Sequence, residues 1–203
     1  PVSTVLDVTE LHRRVIARQG PALFCERPIK ANGELSALPL VTNLFGTVDR
    51  VSLALGGSQR AALRSVGELL AELRHPVPPS GFKEALKKLP LARAALNARP
   101  QEVAHAPVQD EIRQGGDIDL GHLPIQTCWP GEPAPLITWP IVITRPPGPV
   151  EARSHNWGIY RMQVTGRDSA IVRWLAHRGG AMHFREWQAK GEPMPIAVAI
   201  GAD

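Results

Sequence analysis

The placement of proline constrains this chain more than any other feature. It has 203 residues, 20 of them proline, and the prolines crowd into the sequence after Pro76. Each one fixes φ and removes a backbone donor. Many loops and turns are therefore expected in that half. Hydrophobic residues still make up 43% and charged residues 21%, a balance that supports a packed core in a globular chain. A helical bundle is the architecture this sequence argues against.

The first half alternates helices with short strands. Val8, Leu11 and Val15 recur at helical steps within 5–19, and Gly20-Pro21 stops that helix. Ala22 to Glu26 and Leu38 to Thr42 read as strands, with Asn32-Gly33 as a turn between them. Val48 to Leu55 mixes strand alternation at Val51, Leu53 and Leu55 with the Gly56-Gly57 break, and periodicity alone does not exclude the first turn of a helix. Ser58 is an expected N-cap for a helix whose stripe runs Leu63, Val66, Leu70 and Leu73 to Arg74. Phe82 to Asn97 reads as one or two amphipathic helices interrupted at Pro90.

Gln114-Gly115-Gly116-Asp117 is the strongest turn signal and the expected domain boundary. Beyond it, strands are expected at Leu136 to Thr144 (with Pro140 marking an edge or bulge), Ile159 to Val164, Ala170 to Trp174 and Ile196 to Ile200. The fold class predicted is α+β. An α/β domain over residues 1–115 precedes a β-rich small sheet or barrel over residues 116–203.

Formal net charge is +4, with a sequence pI near 9.5. No block of consecutive Lys and Arg forms a nucleic-acid tail, so nucleic acid is not an expected partner. The positive excess suits anionic small molecules; a well-solvated basic surface is the more ordinary explanation. Cys25 and Cys128 stand far apart in no metal-ligand spacing and read as buried thiols in a reducing compartment. No apolar run is long enough to cross a bilayer and no secretory leader is visible, which points to the cytoplasm. The chain opens on Pro1 and closes on an apolar run ending at Asp203, and both ends read as cut.

Two clusters carry the candidate chemistry, Asn156-Trp157-Gly158-Ile159-Tyr160-Arg161-Met162-Gln163 and Arg173-Trp174-Leu175-Ala176-His177-Arg178-Gly179-Gly180. If Ile159 to Val164 is one strand, alternation puts Ile159, Arg161 and Gln163 on one face. A buried arginine there needs an anion, and guanidinium suits carboxylate or phosphate. An exposed face is the other explanation. The Asn156 oxygen can ligate a hard cation or close a local turn. His177 can bind a metal or phosphate, or sit at the surface. Gly179-Gly180 can form a backbone nest for an anion or a plain turn. Trp174 can stack on a flat ring or cap the core. No hydrolase elbow, phosphate-loop lysine or zinc-protease motif occurs.

Both clusters resemble the cofactor segment of the UbiD family of decarboxylases nearly residue for residue. Asn43-Leu44-Phe45-Gly46-Thr47, Asp117-Ile118-Asp119-Leu120, Thr127-Cys128-Trp129-Pro130 and Leu136-Ile137-Thr138-Trp139 resemble further family segments. The branch most similar is the 4-hydroxy-3-polyprenylbenzoate decarboxylases of ubiquinone synthesis. The resemblance implies a split-barrel-like flavin domain, prenylated FMN and a divalent cation such as Mn²⁺ as cofactors, and carboxy-lyase activity. The implied substrate is a polyprenylated aromatic carboxylic acid. A flavin prenyltransferase would supply the cofactor, and the full-length protein would be a homo-oligomer, with peripheral contact at the inner face of the cell membrane. By position it implies Asn156 and His177 as metal ligands. Ile159, Tyr160, Arg161, Arg173, Trp174, Leu175, Arg178 and Gly179 become cofactor contacts, and Arg161 the catalytic arginine that orients the substrate carboxylate. The family's remaining metal ligand and catalytic acids are expected beyond Asp203, so this stretch alone is expected to be inactive. Another aromatic or unsaturated acid as substrate, a plain flavin-binding oxidoreductase module, and a non-enzymatic interaction domain are the competing readings.

Overall fold

The structure is a computed structural model that describes the chain apart from residues 57–59, 76–80, 83–85, 87, 90–102, 151–153 and 202–203. The expected Ser58 cap and most of the expected helices over 82–97 lie outside the described residues. The architecture is mixed helix and sheet, in two compact units. One comprises residues 1–14, 23–42 and 113–203, and the other residues 15–22 and 43–112. The first thus draws segments from both sides of residue 115.

Helix α1 (Asp7–Ala17) carries the predicted Val8 stripe, and Val8 is fully buried. The residues ahead of it are held in place by their backbone. Ile29 N–H donates to the Val2 carbonyl at 2.8 Å, Thr4 N–H to the Ile29 carbonyl at 2.8 Å, and Leu6 N–H to the Thr127 carbonyl at 3.0 Å. Strands β1 (Leu23–Cys25) and β2 (Leu40–Thr42) pair antiparallel, with Phe24 opposite Val41.

In the second unit, α2 (Val48–Ala54) settles the ambiguous stretch as helix. The Thr47 hydroxyl caps it, accepting from Arg50 N–H at 3.3 Å, and Asp49 sits in the first turn, where the helix dipole favours an acid. Helix α3 (Arg60–Arg74) matches the predicted apolar stripe and ends at the predicted Arg74.

Two three-stranded antiparallel sheets dominate the first unit. One has the order β3 (Leu136–Ile137), β6 (Met162–Val164), β7 (Ala170–Val172). The other has the order β5 (Asn156–Ile159), β4 (Ile141–Thr144), β8 (Ile196–Ala199). The expected strand over 136–144 is interrupted just before Pro140 takes the chain into the second sheet, because a proline cannot continue the ladder. The expected strand over 159–164 is also two strands. The chain crosses from the second sheet back to the first at Tyr160 and Arg161. Ile137, Val142, Tyr160 and Met162 form the buried cluster at these crossings, with Val172 and Trp174 against it. Among the described residues the strands do not close into a barrel.

Helix α4 (Gly179–Lys190) is the element sequence reasoning missed. Its stop was legible, since Lys190 is followed by Gly191, which adopts φ 74° and returns its N–H to the Gln188 carbonyl. Trp187 anchors the helix, donating from Nε1 to the Arg145 carbonyl at 2.8 Å.

Candidate functional site

The crossing at Tyr160 and Arg161 opens a cleft of about 1050 Å³ within the first unit. Strand β5 contributes Asn156, Trp157 and Ile159, the crossing contributes Arg161, and the segment after β7 contributes Arg173, Leu175, His177 and Arg178. Gly179, the first residue of α4, closes the set. Ile141, Ile159, Trp157 and Leu175 give one part of the lining an apolar character, while three guanidinium groups supply the rest.

Arg161, Arg173 and Arg178 are all exposed to the cleft, and among the described residues none has a side-chain hydrogen bond or ion pair. Three like charges gathered without a carboxylate repel one another, so an anion bound among them would be favoured. The start of α4 adds the positive end of a 12-residue helix at Gly179.

Tyr160 borders the cleft but is itself buried. Its hydroxyl accepts from Gly180 N–H at 2.9 Å and from Asn156 Nδ2 at 3.3 Å, and its ring meets Trp174 edge-on at 4.9 Å. The two glycines opening α4 are required by this closeness. A Cβ on Gly180 would stand 2.5 Å from the Trp174 ring, and one on Gly179 would collide with Asn156 Oδ1. Glycine at these positions lets the helix start seat against the aromatic pair and the asparagine.

Asn156 is held from behind. It lies opposite Thr144 in the β4–β5 register, and Nδ2 reaches the Thr144 hydroxyl at 3.5 Å as well as Tyr160. With the amide nitrogen engaged inward, Oδ1 is turned toward Gly179. A carbonyl oxygen presented this way, with the His177 imidazole on the same cleft, is a donor pair suited to a divalent cation. Among the described residues no cluster of three His, Cys, Asp or Glu completes such a site.

The structure therefore brings nearly all the sequence-predicted residues onto one cleft: Asn156, Ile159, Tyr160, Arg161, Arg173, Leu175, His177, Arg178 and Gly179. Trp174 stands behind it, half-buried between Tyr160 and Phe184. Gln163 departs from the expected shared face. It lies past the crossing, half-buried, and donates to the Ala134 carbonyl at 3.2 Å. Gly179-Gly180 opens a helix rather than a free loop. Asn156 lies in a strand rather than a turn. Thr144 and His183, which back the asparagine, were not anticipated, since the residues joined lie 39 apart in sequence.

Cys128 is buried near this region. Desolvation by burial pushes its thiol pKa up. It is a packed thiol rather than a nucleophile.

The strand-and-helix cleft thus gathers cationic side chains around a helix start, with an apolar wall beside them. Comparison with known proteins gives the lineage. The 3-octaprenyl-4-hydroxybenzoate carboxy-lyase Rift-related domain model matches residues 100–203, and the N-terminal domain model of the same carboxy-lyase matches residues 1–70. The chain belongs to the UbiD family. Among solved structures it is similar to vanillic acid decarboxylase of Sedimentibacter hydroxybenzoicus in closed form, with TM-score 0.73, 26% identity, and coverage of 98% of this chain and 38% of that one. It is also similar to the UbiD-class enzyme HmfF of Pelotomaculum thermopropionicum in complex with FMN, with TM-score 0.68, 28% identity, and coverage of 98% and 38%. An evolved dimeric HmfF in complex with prenylated FMN matches with TM-score 0.69, 27% identity, and coverage of 99% and 39%. The chain thus spans less than two fifths of the length of these solved chains. Among the described residues no helix is long and apolar enough to cross a membrane.

Proposed function

We propose that this chain builds the phosphate and cation side of a prenylated-FMN site in a carboxy-lyase, and that the whole protein decarboxylates a hydroxylated aromatic acid. The observation that carries the proposal is the set of three arginines on one cleft, without side-chain partners among the described residues, beside the start of α4. Arg173 and Arg178 would hold the cofactor phosphate by charge-assisted hydrogen bonds. Asn156 Oδ1 and His177 would hold a divalent cation, Mn²⁺ or a similar ion, against the same phosphate. Ile159, Trp157 and Leu175 offer the apolar wall that a flat ring system needs.

When bound, a prenylated flavin would supply an electron sink for loss of CO₂. The protein's share is orientation and charge. Arg161 projects into the cleft at the sheet crossing, where its planar guanidinium can pair with a substrate carboxylate and fix it in the reacting pose. The matched family model is named for a polyprenylated hydroxybenzoate, which supports 4-hydroxy-3-polyprenylbenzoate as the acid. A polyprenyl tail would bring the enzyme to the membrane surface from the cytoplasmic side. The likeness to a vanillic acid decarboxylase supports a second reading, a small hydroxyarene acid without a tail.

The test is co-expression of the full protein with a flavin prenyltransferase, followed by absorbance and mass of the bound species and CO₂ release from a panel of both acid types. Bound prenylated FMN with release from the prenylated acid supports the first reading. Release from vanillate-type acids alone supports the second. Ordinary FMN with no CO₂ from any acid contradicts both. Arg161→Ala should abolish release; full activity in that variant removes Arg161 from the mechanism.

A further inference from the structure

Asn156 is useful to a cation only if its oxygen, not its nitrogen, faces the cleft, and the two ends of a carboxamide are nearly the same shape. Something must choose between them. The half-buried atoms behind Asn156 form a chain: Nδ2 to the Thr144 hydroxyl at 3.5 Å, and Thr144 Oγ1 to His183 Nδ1 at 2.9 Å. Thr144 is 1% exposed and lies on β4, while His183 is on α4, one turn past the glycine pair.

A hydroxyl has one proton. If His183 Nδ1 is unprotonated, the Thr144 hydroxyl donates to it and its oxygen must accept, so the nearby Asn156 group is the amide nitrogen and Oδ1 turns to the cleft. If His183 carries its proton on Nδ1, that N–H donates to Thr144. The hydroxyl proton then points at Asn156 and is best met by Oδ1, which leaves the amide nitrogen facing the cleft. The Tyr160 hydroxyl does not decide the matter. It accepts from Gly180 N–H at 2.9 Å and can either accept from or donate to Asn156.

We propose that His183 is a positioning residue for the cation ligand. As the neutral imidazole protonated on Nε2, it sets the direction of the Thr144 hydroxyl and through it the orientation of the Asn156 carboxamide. This rests on the reading of Asn156 as a cation ligand, and two measurements keep the two statements separable. The first is the ¹⁵N–¹H long-range spectrum of the full protein labelled at histidine, assigned with a His183→Gln variant. The proton of His183 is expected on Nε2; a proton on Nδ1 overturns the proposal whatever the metal does.

The second is Mn²⁺ binding to the FMN-loaded protein, followed by the electron paramagnetic resonance of free Mn²⁺. His183→Phe and Thr144→Val are each expected to weaken Mn²⁺ about tenfold or more, as outer-shell losses do. The double variant should be no weaker than Thr144→Val alone, because His183 acts only through that hydroxyl. Thr144→Ser, which keeps the hydroxyl, should restore affinity to about the wild-type value. FMN affinity in metal-free buffer should be unchanged in all of them. Multiplicative losses in the double variant, or an equal fall in FMN affinity in His183→Phe, would mean His183 merely packs α4 and would overturn the proposal. If the wild type takes up no Mn²⁺, Asn156 is not a ligand and the proposal falls with that reading, whichever tautomer His183 shows.

Discussion

Arginine is put to opposite uses in two regions of this molecule. In the second unit, Arg50 is committed to the fold. Its guanidinium donates to the carbonyls of Gly20 at 2.9 Å, Asn43 at 3.0 Å and Leu44 at 3.1 Å, while Asn43 itself donates to Gly20 and Pro21. Asn43 holds φ 60°, and a Cβ on the neighbouring Gly46 would fall on its side chain. In that corner the guanidinium and the Asn43 amide nitrogen all find backbone carbonyls, while Asn43 Oδ1 stays buried without a partner among the described residues. The cleft of the first unit keeps three arginines with no protein acceptor at all among the described residues. Charge that is fully satisfied internally stabilises a shape. Charge assembled and left unsatisfied marks the place where a ligand completes the structure.

The sharpest way to break the comparison is at the helix that serves the cleft. Gly180→Val places a branched side chain against Trp174 and Tyr160, and overpacking of this kind costs about 2–3 kcal/mol. Both thermal stability and flavin binding should fall, as read by calorimetry and flavin fluorescence. A variant with unchanged melting would show that α4 is not seated as described. Next comes Arg50→Ala, which strips three carbonyls of their shared partner and should lower stability by roughly 2 kcal/mol while leaving flavin affinity intact. Arg178→Ala should do the reverse. FMN affinity drops about tenfold, the scale of one charge-assisted hydrogen bond, and stability moves by less than about 0.5 kcal/mol. Relief of repulsion could even raise the melting temperature of the ligand-free protein, and a large loss of stability would place Arg178 with Arg50.

The smallest effect lies on α1. Arg13 and Arg14 hold the Glu10 carboxyl well down, to about 2, by hydrogen bonds at 2.6–2.9 Å. A lowered folded pKa contributes stability above the ordinary carboxylate value, and that contribution is lost as pH falls from about 4.5 toward 2. The group is fully exposed, so salt should screen it. Glu10→Gln should flatten this part of the acid-melting curve slightly, and an unchanged curve would remove the pair from the account.

Much of the cleft was legible because strand alternation survives a broken strand. Ile159 and Arg161 are exposed while Tyr160 and Met162 are buried, as a continuous strand would have it, although the chain changes sheets between them. The alternation fails at Gln163, where the second sheet imposes its own partner. What could not be read was tertiary. Nothing local says that Val48 to Leu55 is helical until Thr47 is seen capping it, and nothing in the Gly179-Gly180 pair distinguishes a loop nest from a helix seated on two aromatic rings. The link from His183 through Thr144 to Asn156 joins a helix to two strands and has no sequence signature.

The central claim is that the unpaired arginines recognise a phosphate. The most direct measurement is a calorimetric titration of the full protein with FMN and with riboflavin, which share the ring system and differ in the phosphate. The account predicts FMN binding about 100-fold tighter, the scale of two charge-assisted hydrogen bonds. It also predicts that the gap nearly closes in the double variant Arg173→Ala, Arg178→Ala. Equal affinity for the two flavins in the wild-type protein would contradict it.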